Sequence, residues 1–312
     1  MNVTRLQAAG QRNGIALVAA GAVLFSTGPV MIAAADASGP VLSFWRLWIG
    51  AAVLALLFAT HGRLTRRWPT RAGWKWALRC GAIFAVHQLS LMTAVKRTSV
   101  VDVALMSVMA PVFIAVLAAR LFDEHPGVRF RLWSAVALLG AAVVVLGGSS
   151  GPKGDPLGMV LAAANVCCYA LYFVWSKQAR DDIDVLPFLF GAIVTAAVLV
   201  SAFVLVAGEP VADASGTDLL AAAGVAIGPG VVGHFVTTWP LRWVPANIPP
   251  LLQLCMPFLA GAMAWAFLGQ QITLVHVFGG LVTIAGVAGA IRSPAGRRMV
   301  AREEAVLVTG PA

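Results

Sequence analysis

Ten long apolar runs constrain the fold of this chain more than any other feature. A helix needs about 20 mostly apolar residues to cross the hydrocarbon core of a bilayer. Charged side chains fall almost entirely in the short segments between the runs. The pattern predicts an all-α membrane protein with ten transmembrane helices, at approximately residues 14–35, 40–60, 74–95, 100–122, 132–148, 157–177, 185–207, 219–239, 248–268 and 272–291.

Composition excludes the main soluble alternatives. The chain has 312 residues, of which 60% are apolar and 11% are charged, whereas soluble domains carry about 25% charged residues. The net charge of +9 raises the question of nucleic acid, but the basic residues lie between apolar runs, where they orient a membrane protein. We therefore expect the lipid bilayer as a partner and no nucleic acid.

The distribution of Lys and Arg predicts the orientation. With ten spans, 17 basic residues fall on the side of the two termini and three, Lys96, Arg97 and Lys153, fall on the other. Basic residues accumulate in cytoplasmic loops, so both termini are expected in the cytoplasm of a bacterial inner membrane. The first run is long for a cleaved signal peptide, and we expect it to be retained.

The second half of the chain repeats the first. Lys96 and Arg242, and likewise Pro111 and Pro257, lie 146 residues apart in similar surroundings. Each half has five runs, and an odd number forces the second half to enter the membrane from the opposite side. Such inverted repeats are typical of secondary transporters, which bind substrate near the bilayer midplane. The predicted organisation is a cytoplasmic segment 1–13, a first repeat 14–148, a linker 149–156, a second repeat 157–291 and a cytoplasmic tail 292–312.

Local motifs resemble a known repeat unit. The first copy has Ala94-Val95-Lys96-Arg97-Thr98-Ser99, Ala110-Pro111 and Phe122-Asp123-Glu124, and the second has Leu241-Arg242-Trp243-Val244-Pro245-Ala246, Pro257 and Leu268-Gly269-Gln270. Residues 14–291 resemble the EamA type of the drug/metabolite transporter superfamily. The resemblance implies ten helices, cytoplasmic termini, and a cavity lined by helices 1, 3, 4, 6, 8 and 9. It also implies export of amino acids or other metabolites, or import in some members.

Polar residues within apolar runs are candidate binding residues, because they are costly in a membrane. His87 and Gln88 lie near the middle of the third run, and His234 lies at a nearly equivalent position of the eighth. Histidine titrates near neutral pH, and it can bind a carboxylate or relay a proton. The alternative is that neighbouring carbonyl groups satisfy both imidazoles.

Ser107 and Gln253 are equivalent under the repeat. Each lies four residues before a proline, Pro111 or Pro257, and hence on the same helix face. They either contact substrate or hydrogen-bond the carbonyls that the prolines leave unpaired. The two prolines are candidate hinges.

The sixth run carries Asn165, Tyr169 and Tyr172 on one helix face. Such a face suits an amphipathic solute, and helix–helix packing is the alternative. Arg46, in the second run, either attracts an anionic substrate or extends to the headgroups. It resembles an arginine that is peripheral in the family, so a structural role is preferred. Asp102 either caps a helix or pairs with Arg97.

No cofactor or metal site is expected. Gly228-Pro229-Gly230-Val231-Val232-Gly233 matches a dinucleotide-binding fingerprint, but that reading requires a βαβ unit, and we interpret it as a break in the eighth helix. The four cysteines lie in apolar runs and are expected to be structural.

The sequence therefore predicts a secondary transporter that exports amino acids or similar small amphipathic metabolites, with proton coupling left open. Import of a metabolite and an intramembrane enzyme are the alternatives. Catalysis is disfavoured because Asp102 is the sole acidic residue near a run interior, and the serine-containing run Gly147-Gly148-Ser149-Ser150-Gly151 is a flexible link between the halves.

Overall fold

The computed structural model describes residues 3–65, 68–97, 103, 106–107, 109–121, 127–147, 155–242, 244–246, 248–256, 258–259 and 274–293. Throughout these residues the regular structure is helical, without strands. The helices are α1 (Val3–Ala34), α2 (Gly39–Thr65), α3 (Arg71–Arg97), α4 (Ala110–Leu121), α5 (Val128–Gly147), α6 (Pro156–Gln178), α7 (Val185–Ala207), α8 (Gly216–Leu241), α9 (Ile248–Gln253) and α10 (Leu274–Arg292).

Six of the described helices are long and apolar enough to cross a membrane. They are α1, α2, α3, α6, α7 and α8. The apolar part of α10, Val277–Arg292, is shorter, and α4 and α9 are described over 12 and 6 residues. The all-helical membrane architecture is confirmed, and the full count of ten spans stays a prediction.

Local sequence explains where several helices begin and end. The side chain of Asp155 caps α6 by accepting from the N–H of Leu157, and Pro156 occupies the first turn, where no N–H is needed. Ser215 and Asp218 form a reciprocal capping box at the start of α8. Gly208 ends α7 with a φ of 67°, a left-handed conformation that glycine adopts without a Cβ penalty.

The eighth helix is interrupted where the sequence predicts. It runs as an α-helix over Gly216–Val225, widens into a π-helix over Ala226–Gly233, and resumes over His234–Thr238. Pro229 has no N–H to donate within the interruption. Because π-helical turns are rare and occur frequently at functional sites, this segment marks the region where α8 meets the cavity.

Helix packing has the pattern expected of two equivalent halves. In the first half α3 packs on α6 and α7, and in the second half α8 packs on α1 and α2. Adding or subtracting five from each helix number converts one set of contacts into the other. Two pairs, α2 with α7 and α5 with α10, convert into themselves. The starts of α2 and α7, Gly39 and Val185, are 146 residues apart, as in the sequence repeat.

Candidate substrate cavity

A cavity of about 210 Å³ lies between the two halves. Its described lining comes from α1, α3, α4, α6, α8 and α9, the six helices that the family resemblance implies, from α2, and from the segments that adjoin α4 and α9. The cavity therefore receives residues from both repeats, as the site of an alternating-access carrier requires.

The seven polar residues singled out in the sequence all border this cavity. They are His87, Gln88, Ser107, Asn165, Tyr169, His234 and Gln253. Pro111 also lines it, whereas Pro257 and Asp102 lie outside the described residues. The structure thus brings together side chains that are up to 166 residues apart. That these residues bind substrate stays a prediction.

The two histidines share one aromatic neighbour. The rings of His87 and His234 lie 5.3 and 5.1 Å, centroid to centroid, from the ring of Phe84. The Nδ1 of His87 is 3.3 Å from the backbone oxygen of Asn165, which belongs to the other half. His234 packs edge-on against Phe25 at 5.1 Å. Both positions are buried, and the near-equivalence seen in the sequence corresponds to a common location.

The polar face of α6 divides between the cavity and the core. Asn165 and Tyr169 line the cavity, and the hydroxyl of Tyr169 donates to Oε1 of Gln253 at 2.8 Å. Tyr172 is 3% exposed and packs instead on Phe84 at 5.0 Å. Among the described residues, Oδ1 of Asn165 and Nε2 of Gln253 have no hydrogen-bond partner. Two buried polar groups at the cavity therefore have unused hydrogen-bonding capacity.

Among the described residues, the side chain of Ser107 contacts Val103 and that of Gln253 contacts Tyr169. The hydroxyl of Ser107 donates to the carbonyl of Val103 at 2.9 Å, whereas the carbonyl that Pro111 leaves without a donor is that of Ser107 itself. The side-chain oxygen of Gln253 is occupied by Tyr169. Among the described residues, neither of these two hydrogen bonds involves the carbonyl that the following proline leaves without a donor.

Arg46 lies in the cavity wall and does not extend to the headgroups, since it is 5% exposed and lines the cavity. The sequence favours a structural role for it, with attraction of an anionic substrate as an alternative. Its Nη1 donates to Oε1 of Gln88, and its guanidinium lies 5.5 Å from the ring centroid of Phe84. Arg46 is seven residues from the start of α2 at Gly39, a depth of roughly 10 Å at 1.5 Å per residue. This depth can be read from the sequence and indicates a buried side chain, because an arginine that extends to solvent usually lies nearer a helix end.

The rest of the lining is mostly apolar. It includes Phe25, Ile32, Leu91, Met92, Leu254 and Met256. A pocket with apolar walls and a few convergent polar groups is the usual form of a small-molecule site. Such walls suit a ligand with a hydrocarbon body and a polar end.

Polar contacts also join the ends of neighbouring helices. Nη1 of Arg97, at the end of α3, is 3.0 Å from Oδ2 of Asp155, at the start of α6. Asp102, the partner considered for Arg97 in the sequence, lies outside the described residues. The hydrogen bond from Arg97 and the one from Leu157 hold the pKa of the Asp155 carboxyl below its usual value. The carboxylate of Asp218 accepts from the N–H of Asp36 at 2.8 Å, which joins α8 to the α1–α2 loop.

Comparisons with known proteins agree with this architecture. Residues 12–146 and 156–292 each match the EamA-like transporter family. The chain is 27% identical over 247 residues to the uncharacterized transporter YdfC of Bacillus subtilis, an alignment that covers 79% of each chain. It is 25% identical over 278 residues to an uncharacterized transporter of Archaeoglobus fulgidus, which covers 88% of this chain and 95% of that one.

A solved structure shares the fold. A crystal structure described only as that of a protein superposes with a TM-score of 0.77 at 17% identity, and covers 92% of this chain and 98% of its own. The two family matches fall on the two halves and together cover most of the sequence. The chain therefore belongs to the EamA-like transporter family of the drug/metabolite transporter superfamily, and it is a membrane transporter.

Proposed function

We propose that the protein is a secondary transporter that exports amino acids or similar small amphipathic metabolites across the bacterial inner membrane. The observation that carries the proposal is the cavity between the halves, with apolar walls and polar groups from both repeats. A polar end and an apolar body are the features that such a lining accommodates. Outward direction follows the resemblance to metabolite exporters.

Seven side chains form the proposed binding set: His87, Gln88, Ser107, Asn165, Tyr169, His234 and Gln253. Pro111 and Pro257 act as hinges in this proposal, because a proline interrupts helix hydrogen bonding and permits bending. The two halves then exchange conformations and expose the cavity to either side in turn. The imidazoles also leave coupling to protons open, since histidine titrates near neutral pH.

A transport panel in proteoliposomes tests the function. Purified protein is reconstituted, and efflux of radiolabelled amino acids and organic acids is followed with and without a pH gradient. Saturable efflux above that of protein-free liposomes for at least one amphipathic solute is expected. Failure of every such solute, with efflux of a purely polar solute such as a sugar, would overturn the proposed substrate class.

Orientation is proposed with both termini in the cytoplasm. In a background without the four native cysteines, Arg67→Cys is expected to resist an impermeant thiol reagent added to intact cells. Ala212→Cys, in the exposed α7–α8 connection, is the matched control and is expected to react. The opposite labelling pattern would reverse the orientation.

A further inference from the structure

The cavity contains a buried positive charge without an acidic partner in the described structure. Arg46 stays protonated at physiological pH, because arginine does not lose its proton in proteins. No Asp or Glu occurs among the described lining residues. His87 and His234 are the other titratable bases of that lining, and they cannot compensate a positive charge.

The contacts of Arg46 are with neutral groups. Nη1 donates to the side-chain oxygen of Gln88, and the guanidinium faces the ring of Phe84. Among the described residues, Nε has no hydrogen-bond partner although the side chain is 5% exposed. Burying an ion away from water is costly unless it is paired. An anion in the cavity would remove that cost.

Two further buried groups lie on the same lining without partners. These are Oδ1 of Asn165 and Nε2 of Gln253. The lining therefore presents unsatisfied groups on a cationic, a donor and an acceptor side chain, surrounded by apolar walls. This is the arrangement expected of a polar pocket whose hydrogen bonds are completed by a ligand.

We propose that Arg46 binds the carboxylate of the transported substrate, and that the substrate class is small carboxylate anions with an apolar body. The inference rests on the proposed function and specifies its substrate. A planar guanidinium matches a carboxylate in charge and in hydrogen-bond geometry, and the pair is strengthened where water is excluded. The apolar walls then contact the hydrocarbon part of the ligand.

The groups that line the cavity also predict the relative affinities of related solutes. An amino acid shares the carboxylate but brings an ammonium group, for which the described lining offers neutral acceptors such as Oδ1 of Asn165. An amine without a carboxylate would place a second positive charge beside Arg46. Asp102, which adjoins the lining residue Val103 in sequence, lies outside the described residues. The expected order of affinity is carboxylate, then amino acid, then amine.

Three probes with related hydrocarbon skeletons test this order: 4-methylpentanoate, leucine and 3-methylbutylamine. Their affinities are measured on the purified full-length protein in detergent from the ligand-dependent rise in melting temperature, because a ligand of the folded state raises it. This readout is independent of diffusion of the probes through lipid. 4-Methylpentanoate is expected to stabilise most and 3-methylbutylamine not at all.

Arg46→Gln is expected to weaken binding of 4-methylpentanoate by about 10- to 150-fold, which corresponds to the loss of a charge-assisted hydrogen bond. Arg46→Lys keeps the charge and should retain part of the affinity. Arg180→Gln is the matched control, since Arg180 is also buried, at 3% exposure, and packs on Phe188 outside the cavity. It is expected to lower stability and to keep the order of the three probes.

The outcomes are distinguishable. Equal binding of 4-methylpentanoate by the parent and Arg46→Gln, or binding of the amine as tightly as the acid, would overturn the role of Arg46. If Arg46→Gln does not fold, the order of the probes on the parent and on Arg46→Lys decides. Absence of binding by all three, with transport of an uncharged amphipathic solute, would overturn the anionic class and leave the proposed transporter intact. Failure of transport for every solute would overturn both the anionic substrate class and the proposed function.

Discussion

The hydroxyl of Tyr169 donates a hydrogen bond of 2.8 Å to the side-chain oxygen of Gln253 and joins α6 to α9 at the cavity wall. The amide nitrogen of the same glutamine has no partner among the described residues. The hydrogen bond therefore fixes the orientation of an amide whose other end remains available. It connects two residues that the sequence selected for different reasons, an aromatic face and a repeated position before a proline.

Tyr169→Phe is expected to destabilise the protein. The substitution leaves a buried carbonyl oxygen of Gln253 unpaired, at a cost of roughly 1–3 kcal/mol. Melting of the purified protein measures it. In the double variant Tyr169→Phe with Gln253→Leu, both polar partners are gone, and part of the loss should be recovered. An additive double variant would show that the two side chains are not coupled.

The histidine pair is expected to act on substrate binding. If both imidazoles contact substrate, His87→Ala and His234→Ala should each weaken apparent affinity by about 10- to 150-fold, as for loss of a hydrogen bond to a charged group. The measurement is the apparent KM for efflux, normalised to folded protein. Lower melting temperatures with unchanged kinetics in both variants would give the histidines a purely structural role.

The structure also predicts that the two variants differ. His87 has a backbone partner in the other half, at Asn165, whereas His234 lies among the rings of Phe25, Phe84 and Tyr172. Removing His87 therefore breaks a contact between the halves in addition to any substrate contact. We expect the larger fall in melting temperature for His87→Ala. A larger fall for His234→Ala would contradict this.

Pro111 is expected to support the conformational exchange. It is the second residue of α4 as described and lines the cavity, and its missing N–H leaves the preceding turn less constrained. Pro111→Ala should slow transport more than it lowers folded yield, and Pro257→Ala should do the same. Parent rates in both variants, measured in proteoliposomes at saturating substrate, would exclude a hinge role.

Periodicity and the repeat selected most of the polar residues that line the cavity, and the family resemblance implied which helices would line it. Equivalent positions in two inverted halves are expected to approach each other, so His87 and His234 could be paired from the sequence alone. The break at Pro229 was equally predictable, because proline cannot continue the hydrogen-bond ladder. Both predictions use short stretches of sequence, and the internal repeat adds support to the pairing of the histidines.

Arg46 could not be placed by the same reasoning. The second half has no arginine at the equivalent position. The direction of the Arg46 side chain depends on the rotation of α2 about its own axis relative to α3, and it ends in a hydrogen bond to Gln88. The hydrogen bond between Tyr169 and Gln253 was likewise beyond reach, because 84 residues separate them in sequence and no repeat relates them. Rotation and tilt of packed helices come from side-chain fit and not from hydropathy.

Close packing of α5 on α10 predicts a stability effect remote from the cavity. A Cβ atom on Gly286 would lie 2.4 Å from the backbone nitrogen of Ala137, so the helices would have to separate. Small residues allow such approach between membrane helices. Gly286→Ala should cost about 1–3 kcal/mol, the usual range for overpacking. Gly216→Ala, which has open space around the new methyl group, is the control and should melt within a few degrees of the parent.

The membrane potential supplies the last prediction, which rests on a carboxylate substrate. A monoanion that leaves the cell alone moves one negative charge outward, and a potential that is negative inside favours this movement by about 2.3 kcal/mol per 100 mV. The corresponding change in the equilibrium accumulation ratio is roughly 50-fold. Efflux from proteoliposomes should therefore quicken when a potassium diffusion potential makes the interior negative.

The measurement uses radiolabelled 4-methylpentanoate, with the potential and the pH gradient imposed separately. Protein-free liposomes correct for the uncharged acid, which crosses lipid unaided, and Arg46→Gln should lose the protein-dependent component at either polarity. The net charge moved in each transport cycle distinguishes movement of the anion alone from movement of the anion with a proton. A response to the potential identifies movement of the anion alone, because one charge crosses per cycle. Indifference to the potential combined with acceleration by the pH gradient, beyond that of protein-free liposomes, would contradict this expectation. It would mean that one proton accompanies each carboxylate, with His87 and His234 as the titratable residues of the described cavity that could carry it.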